Sequence, residues 1–305
     1  MKIKWTLDNF IKSLSGEKHI GIGYALLASS SWGVLPIYWK LLDTVPSLEI
    51  LVHRIFWSGL LLVFLISAQK NCVFLWDLFK KPKILITLLG TSLLLGSNWF
   101  LYIYGVNTNK IVETSLGYFI SPLFNIFLGS IFLKERLNYF QCIALLLAAL
   151  GVLNFLREFD SLPWIALALA LTFSFYGLLR KVIPVKPLVG LMLETALLSP
   201  FSIILILVWT LDGTWNFGGE GVNIFLLLFA GVFTALPLLW FTNATKRLRY
   251  STLGFIHYMT PTIQLIIGVY IYNEPFTVNH IVTFGLIWIG LIIFSINAFQ
   301  NKGIS

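Results

Sequence analysis

Long apolar stretches separated by short polar connections fill the chain from about residue 20 onward. A helix that crosses a bilayer needs roughly 20 mostly apolar residues. By that measure the pattern predicts ten transmembrane helices, at about 21–39, 46–68, 84–105, 112–133, 138–156, 161–180, 188–210, 222–244, 251–272 and 278–298. The predicted fold class is therefore an all-α membrane protein, and no connection is long enough for a soluble domain.

The two halves of the chain resemble each other. The segment LGYFISP at 116–122 matches LGFIHYMTP at 253–261, with a two-residue insertion before the proline. In both halves the proline is followed by a glycine after seven residues and by a glutamate after thirteen. The same offset of 139 residues places Gly151 on Gly290. These matches predict an internal duplication.

Five predicted helices fall in each half, and because five is an odd number the second half is expected to be inverted. The expected organisation is a basic arm at 1–20, a first repeat at 21–156, a second repeat at 161–298 and a tail at 299–305. Inverted repeats are typical of secondary transporters that work by alternating access. The alternative is that duplication only produced a large, stable membrane protein.

Lysine and arginine are distributed very unevenly between the two sides. If the N-terminus is cytoplasmic, 17 of the 21 Lys and Arg residues lie on the cytoplasmic side, and only Lys40, Lys110 and Arg157 lie opposite. The positive-inside rule then predicts cytoplasmic N- and C-termini. The first 20 residues lack a signal-peptide pattern and are expected to form a cytoplasmic arm, with a short amphipathic helix on the bilayer as one form. This uneven distribution accounts for the net charge of +8, so the charge does not require binding to nucleic acid.

Composition and motifs narrow the function further. The residues are 58% hydrophobic and only 11% charged, which suits lipid surroundings. There is no P-loop, no HExxH and no cluster of the four histidines, so we expect no enzyme activity, no cofactor and no metal. Cys72 and Cys142 have no metal or redox spacing, and a disulfide between them is not expected.

Three ionisable residues in the second span, Glu49, His53 and Arg54, are costly at bilayer depth. Glu49 and His53 are four residues apart and share a helix face. One interpretation is that they bind a solute or couple transport to protons, and the other is that they only pack. Arg54, about 100° away around the helix, is interpreted as a structural cation that pairs with a carboxylate or carbonyls of a neighbouring helix.

Uncharged polar and aromatic residues form a second set of candidates. Under the repeat offset, Tyr118 falls on His257 and Asn125 falls on Gln264, so two matching polar faces are expected to converge. Pro122 is expected to kink its helix, as is Pro261 at the equivalent place. The alternative is that these amides only form hydrogen bonds between helices. The predicted solute-binding residues are Trp32, Asn98, Trp99, Tyr102, Tyr118, Asn125, Tyr176, His257 and Gln264.

Several stretches resemble RarD proteins of the EamA family, in the drug/metabolite transporter superfamily. They include VPSLEILVHRIFWS at 45–58, ETSLGYFISPLFNIFLGSIFLKERL at 113–137 and LPLLWFTNATKRLRYSTLGFIHYMTPTIQLIIGVYIYNEPF at 236–276. The resemblance implies ten helices in two EamA repeats, a bacterial inner-membrane location and export or exchange of small metabolites or drugs. It implies that helices 1, 3, 4, 6, 8 and 9 wall a central cavity. The RarD name is associated with chloramphenicol sensitivity or resistance.

The resulting expectation is a secondary transporter of small amphipathic or aromatic solutes, with a neutral or zwitterionic aromatic guest favoured. Its expected partners are that solute and membrane lipids, with no nucleic acid, and a homodimer is one candidate assembly. The main alternative is a flippase for lipids or lipid-linked sugars. A channel and a membrane receptor that transports nothing are further alternatives.

Overall fold

The computed structural model describes residues 2–42, 44–68, 81–107, 111–157, 162–214, 221–272 and 277–300. These residues form eleven α-helices, and no strand occurs among them. The helices are α1 (Lys2–Lys40), α2 (Ser47–Ala68), α3 (Pro82–Asn107), α4 (Ile111–Phe132), α5 (Tyr139–Leu156), α6 (Trp164–Val182), α7 (Pro187–Asp212), α8 (Gly221–Arg247), α9 (Tyr250–His257), α10 (Met259–Tyr270) and α11 (Val278–Gln300). Cys72 and Glu274, the glutamate thirteen residues after Pro261, lie outside the described residues.

The helices correspond to ten spans. Nine segments of the described chain are long and apolar enough to cross a membrane, and α4 adds a tenth, with the apolar stretch Leu116–Phe132. Their outer surfaces carry exposed large apolar side chains, such as Phe64 at 68% and Ile86 at 69% exposure, which a bilayer would cover. α1 to α8 are spans 1 to 8, α9 and α10 together are span 9, and α11 is span 10. The predicted fold class is confirmed.

The first helix is longer than expected. The backbone of α1 is helical from Lys2 to Lys40 without interruption, so the basic arm continues the axis of the first span. A separate helix on the bilayer surface is not observed. Near the start of the span, the Glu17 carboxylate lies 2.7 Å from Nε of Arg247 at the end of α8. This ion pair ties the base of the arm to the second half of the protein.

Span 9 is interrupted at Tyr258, three residues before Pro261. Proline has no backbone N–H, so it cannot bond the carbonyl four residues earlier, which belongs to His257. The helix therefore ends at His257 and restarts at Met259. The equivalent helix α4 continues through Pro122 without such a break.

The packing of the spans follows the inverted repeat. Span 5 packs on span 10, span 4 on span 9 and span 2 on span 7, and each pair consists of equivalent helices of the two repeats. Span 1 packs on spans 8 and 9, just as its equivalent, span 6, packs on spans 3 and 4. The predicted duplication is therefore also visible in three dimensions.

The crossing of α5 and α11 shows the repeat at atomic scale. A Cβ added to Gly151 would lie 2.8 Å from the carbonyl oxygen of Thr283, and one added to Gly290 would lie 2.8 Å from that of Ala144. Gly290 lies 139 residues after Gly151, and Thr283 lies 139 residues after Ala144. The repeat offset therefore converts one contact into the other. Each glycine is needed because the neighbouring backbone occupies the space of a side chain.

Replacing Gly290 with Ala is expected to lower the free energy of unfolding by about 1–3 kcal/mol, because the added methyl group forces two backbones apart. Thermal unfolding in detergent measures the change. Gly285→Ala is the matched control on the same helix, since an added Cβ there meets nothing within 4 Å. It should be neutral or slightly stabilising, because alanine favours helix over glycine. Equal effects of the two substitutions would contradict the close contact.

Candidate functional site

A central cavity lies between the two halves of the bundle. The space between the lining side chains is about 820 Å³, a value that includes the open space at the mouth of the cavity. Among the cavity-lining residues of α1, Trp39 is the last in sequence, and α1 ends at the next residue, Lys40. The cavity therefore lies towards this end of the bundle. The lining residues are Trp32, Leu35, Pro36, Trp39, Arg54, Asn98, Trp99, Tyr102, Thr114, Gly117, Tyr118, Ser121, Leu169, Phe173, Thr234, Leu238, His257 and Gln264.

Aromatic rings form much of the cavity wall. The Trp32 ring centroid lies 5.4 Å from that of Phe173 and 5.5 Å from that of His257, and both pairs are edge-to-face. Across the cavity, Tyr102 and Tyr118 are 6.2 Å apart in the same arrangement. Edge-to-face pairs fix the ring orientations, so the wall offers preformed apolar surfaces to a guest.

Two amide side chains tie the walls together. Nδ2 of Asn98 donates to the Leu169 carbonyl at 2.9 Å and to Oγ1 of Thr172 at 3.0 Å. Nε2 of Gln264 donates to the Trp32 carbonyl at 3.2 Å. Each bond crosses between the two repeats, so these residues hold the cavity in shape while bordering its interior.

Arg54 lines the cavity. Its Nε donates to Oγ1 of Thr234 at 3.0 Å, and the Thr234 hydroxyl in turn donates to the Ala230 carbonyl at 2.7 Å. The guanidinium carbon lies 4.7 Å from the ring centroid of Trp39 and 5.2 Å from that of Trp99. Within the described residues no carboxylate forms an ion pair with it. The expected structural pairing of Arg54 with a neighbouring carboxylate is therefore not observed there.

Glu49 and His53 point elsewhere than Arg54. Both are buried, with 3% and 1% exposure, and neither lines the cavity. Nδ1 of His53 accepts a hydrogen bond of 3.0 Å from Nε1 of Trp57, one turn further along α2. The 100° rotation between adjacent helical positions thus places Arg54 in the cavity and His53 in the packing of the bundle.

Seven of the nine predicted solute-binding residues line the cavity, and Asn125 and Tyr176 do not. Asn125 is fully buried where α9 approaches α4, and a Cβ on Gly254 would lie 2.8 Å from the Pro122 carbonyl oxygen. Tyr176 is also fully buried, and its hydroxyl donates to Oε2 of Glu194 at 3.3 Å. Close helix packing excludes both residues from the cavity.

The cavity contains residues that sequence reasoning did not select. Most of them lie three, four or seven residues from a predicted residue on the same helix, so helical spacing was the available signal. From Trp32 this spacing reaches Leu35, Pro36 and Trp39, and from Tyr118 it reaches Thr114. On α8 no predicted residue anchored a stripe, and Thr234 and Leu238 had no such signal.

Several basic residues, among them Lys181, Lys246 and Arg249, lie at the end of the bundle farthest from the cavity. We call this end of the bundle the basic face. Two of them, Lys181 and Lys246, connect α6 with α8. Nζ of Lys181 donates to the carbonyls of Thr245, at 2.9 Å, and Leu248. Nζ of Lys246 donates to the carbonyls of Lys181, at 3.1 Å, and Ile183. The last carbonyls of a helix lack partners within it and carry partial negative charge, so each lysine caps the other helix.

Glu135 closes the basic face beside this pair. Its carboxylate accepts from the backbone N–H groups of Tyr250, at 2.6 Å, and Ser251, at 2.8 Å, and from the Ser251 hydroxyl at 2.6 Å. A carboxylate is favourable at a helix N-terminus, where free N–H groups meet the positive end of the dipole. This contact joins the end of the fourth span to the start of the ninth.

A third polar cluster lies inside the bundle near the basic face. Arg180 and Glu194 are fully buried, with Nε and Oε1 at 3.6 Å. Oε1 of Glu194 also accepts from Oγ1 of Thr91 at 2.6 Å, and Nη2 of Arg180 donates to the Pro187 carbonyl at 3.0 Å. Gly190 makes room for the guanidinium, because an added Cβ would lie 1.8 Å from Nη1. The cluster is separate from the cavity and joins spans 3, 6 and 7.

Ten spans in two inverted repeats around a central cavity define a membrane transport protein. The model of the EamA-like transporter family matches residues 19–157 and 162–296. The chain belongs to this family. Protein RarD of Escherichia coli strain K12 is 43% identical over 92% of this chain and 96% of its own length. An uncharacterized transporter of Vibrio cholerae is also 43% identical, over 92% of this chain and 93% of its own. These relatives extend the resemblance seen in the sequence.

The fold is also similar to that of a protein of known crystal structure. The TM-score is 0.68 at 17% sequence identity, and the match covers 91% of this chain and 98% of the other. At this identity the similarity concerns the fold alone. The family and the Vibrio cholerae relative bear transporter names, which agrees with the expectation that the chain is not an enzyme.

Proposed function

We propose that the protein is a secondary active transporter that exports or exchanges small metabolites or drugs by alternating access, with the central cavity as its solute site. A difference between equivalent helix pairs carries the proposal. α6 and α8 pack together and their ends cap each other, whereas the equivalent helices α1 and α3 have almost no backbone contact among the described residues. The cavity occupies the space between α1 and α3.

The difference between the two pairs has a simple physical meaning. Two repeats of similar sequence and opposite orientation have two arrangements of comparable energy, in which the roles of the pairs are exchanged. In one arrangement α6 and α8 are closed while α1 and α3 are apart, and in the other the reverse holds. The solute site then faces each side of the membrane in turn.

Unpaired polar groups in the closed half support a second arrangement. Both amide atoms of Asn125 are buried without a hydrogen-bond partner among the described residues. Burying such groups without partners costs about 1–3 kcal/mol each. Opening the basic face would hydrate this region and remove that cost.

The basic face is proposed to be cytoplasmic. The positive-inside rule supports this orientation, since 17 of the 21 Lys and Arg residues fall on one side of the predicted topology. Both termini are then cytoplasmic, and the cavity faces the outside of a bacterial inner membrane. In this arrangement the protein would be ready to release an exported solute or to bind one for exchange.

The binding test is a thermal-shift screen of the purified protein with aromatic amino acids, nucleosides, sugars and chloramphenicol. A ligand at 100 times its Kd adds about 2.7 kcal/mol to the stability. Tyr102→Ala, which removes part of the cavity wall, should abolish the stabilisation. Tyr139→Ala is the matched control, because Tyr139 is 75% exposed on α5 and distant from the cavity. Each hit is then tested for saturable flux in proteoliposomes.

Three outcomes would count against the proposal. Stabilisation by phospholipids or lipid-linked sugars alone would favour the flippase. Flux that does not saturate would indicate a channel. Equal loss of stabilisation in both tyrosine variants would place the binding site away from the cavity.

A further inference from the structure

Arg54 is the single charged side chain among the described residues that line the cavity. The remaining wall consists of aromatic, aliphatic and uncharged polar side chains. A guanidinium at this depth in a membrane protein is costly unless it is paired or faces water. No carboxylate of the described residues forms an ion pair with it, so its charge is open to a partner that enters the cavity.

The surroundings of Arg54 hold the guanidinium in a fixed orientation. Nε is occupied by Oγ1 of Thr234 at 3.0 Å, and the indoles of Trp39 and Trp99 lie at 4.7 and 5.2 Å from the guanidinium carbon. Stacking on aromatic rings restricts rotation of the planar group. The terminal Nη groups make no hydrogen bond to any described residue, and they remain available at the cavity surface.

We propose that Arg54 binds a carboxylate of the transported solute through its Nη groups, with the apolar part of the solute against the aromatic wall. The inference rests on the proposed transport function and names the class of solute, an organic carboxylate with an aromatic or other apolar body. A guanidinium edge and a carboxylate form two parallel hydrogen bonds, which fits the free side of Arg54. One positive charge in an otherwise uncharged cavity matches a monoanion better than a phosphate dianion.

This inference narrows the expectation of a neutral or zwitterionic aromatic guest to solutes that carry a carboxylate, for a specific reason. Composition showed many aromatic residues and little charge, and Arg54 was interpreted as part of the bundle packing. Its position in the cavity, beside the indoles of Trp39 and Trp99, favours a role in binding the solute instead. A neutral solute would leave the guanidinium without a partner for its charge, whereas a carboxylate provides one.

The experiment compares matched ligands that differ only in the charged group. The probes are phenylacetate with phenylacetamide and indole-3-acetate with indole-3-acetamide, measured by thermal shift and by competition in proteoliposome flux. In the wild-type protein each carboxylate should bind about 10–100-fold more tightly than its amide, as expected for charge-assisted hydrogen bonds. Arg54→Gln should reduce this ratio to about one and change amide binding little.

Two further variants keep the test decisive if Arg54→Gln folds poorly. Arg54→Lys retains the charge without the planar edge and should keep only part of the preference. Thr234→Val keeps Arg54 but removes the acceptor for Nε, and it should weaken carboxylate binding more than amide binding. An unchanged ratio in all three variants, with ligands still bound, overturns the role of Arg54 and leaves the transport proposal standing. Absence of binding and flux for every ligand in the wild-type protein overturns both.

Discussion

Glu194→Ala should lower the free energy of unfolding by about 3–5 kcal/mol, the usual effect of removing one partner of a buried ion pair. Arg180 is fully buried beside Glu194, and the substitution leaves its positive charge in the bundle without a carboxylate. The Thr91 hydroxyl, at 2.6 Å from Oε1, would lose its acceptor on the same carboxylate. Equilibrium unfolding in detergent, followed by tryptophan fluorescence, measures the change.

The control is an ion pair at the protein surface. Glu17→Ala breaks the contact with Arg247, but Glu17 is 53% exposed, and exposed pairs contribute about 1 kcal/mol or less. The double variant Arg180→Met/Glu194→Met removes both charges and should recover much of the loss, because no unpaired charge is left behind. Similar effects of Glu194→Ala and Glu17→Ala would show that the buried pair contributes little to stability.

Most of the fold could be predicted because lipid imposes strong constraints on sequence. A span needs about 20 apolar residues, so the ten helices stand out in the pattern. The length of α1 could not be found in this way, because the arm from Lys2 is polar and has no long apolar stretch. The interruption of span 9 was signalled by Pro261, but Pro122 gave the same signal in α4, which continues without a break. A proline alone therefore does not determine whether a span is interrupted.

The sequence indicated which residues lie at the interface between the repeats. It did not indicate which of two matching residues lines the cavity. Trp32-Gly33 in the first repeat can be laid on Tyr176-Gly177 in the second, yet Trp32 lines the cavity and Tyr176 is buried in the closed half. Spacing identifies the interface between the repeats and says nothing about which end of it is open. Similarly, periodicity separates Arg54 from His53 on α2, but the neighbouring helices determine which of them meets the cavity.

The pair Lys181 and Lys246 leads to the second large expected effect. Replacing both with methionine removes four charge-assisted hydrogen bonds between the ends of α6 and α8. At roughly 0.5–1 kcal/mol for each bond, the closed basic face loses about 2–4 kcal/mol relative to the opened one. The opened arrangement should therefore become more populated by a factor of roughly 30 to 900.

A cysteine at a buried position reports this opening. Ser174 on α6 is fully buried, so Ser174→Cys in a Cys72→Ser/Cys142→Ser background should react slowly with an impermeant maleimide supplied at the basic face. The double methionine variant should react at least tenfold faster and show altered flux, because its closed arrangement has lost the contacts that hold α6 against α8. Lys81→Met/Lys83→Met, at two exposed lysines beside the start of α3, removes the same number of charges without such contacts and should leave the labelling rate unchanged. Unchanged labelling in the double variant would mean that packing alone holds the basic face closed, since the carbonyls that the lysines cap would then be satisfied by water at no cost to closure.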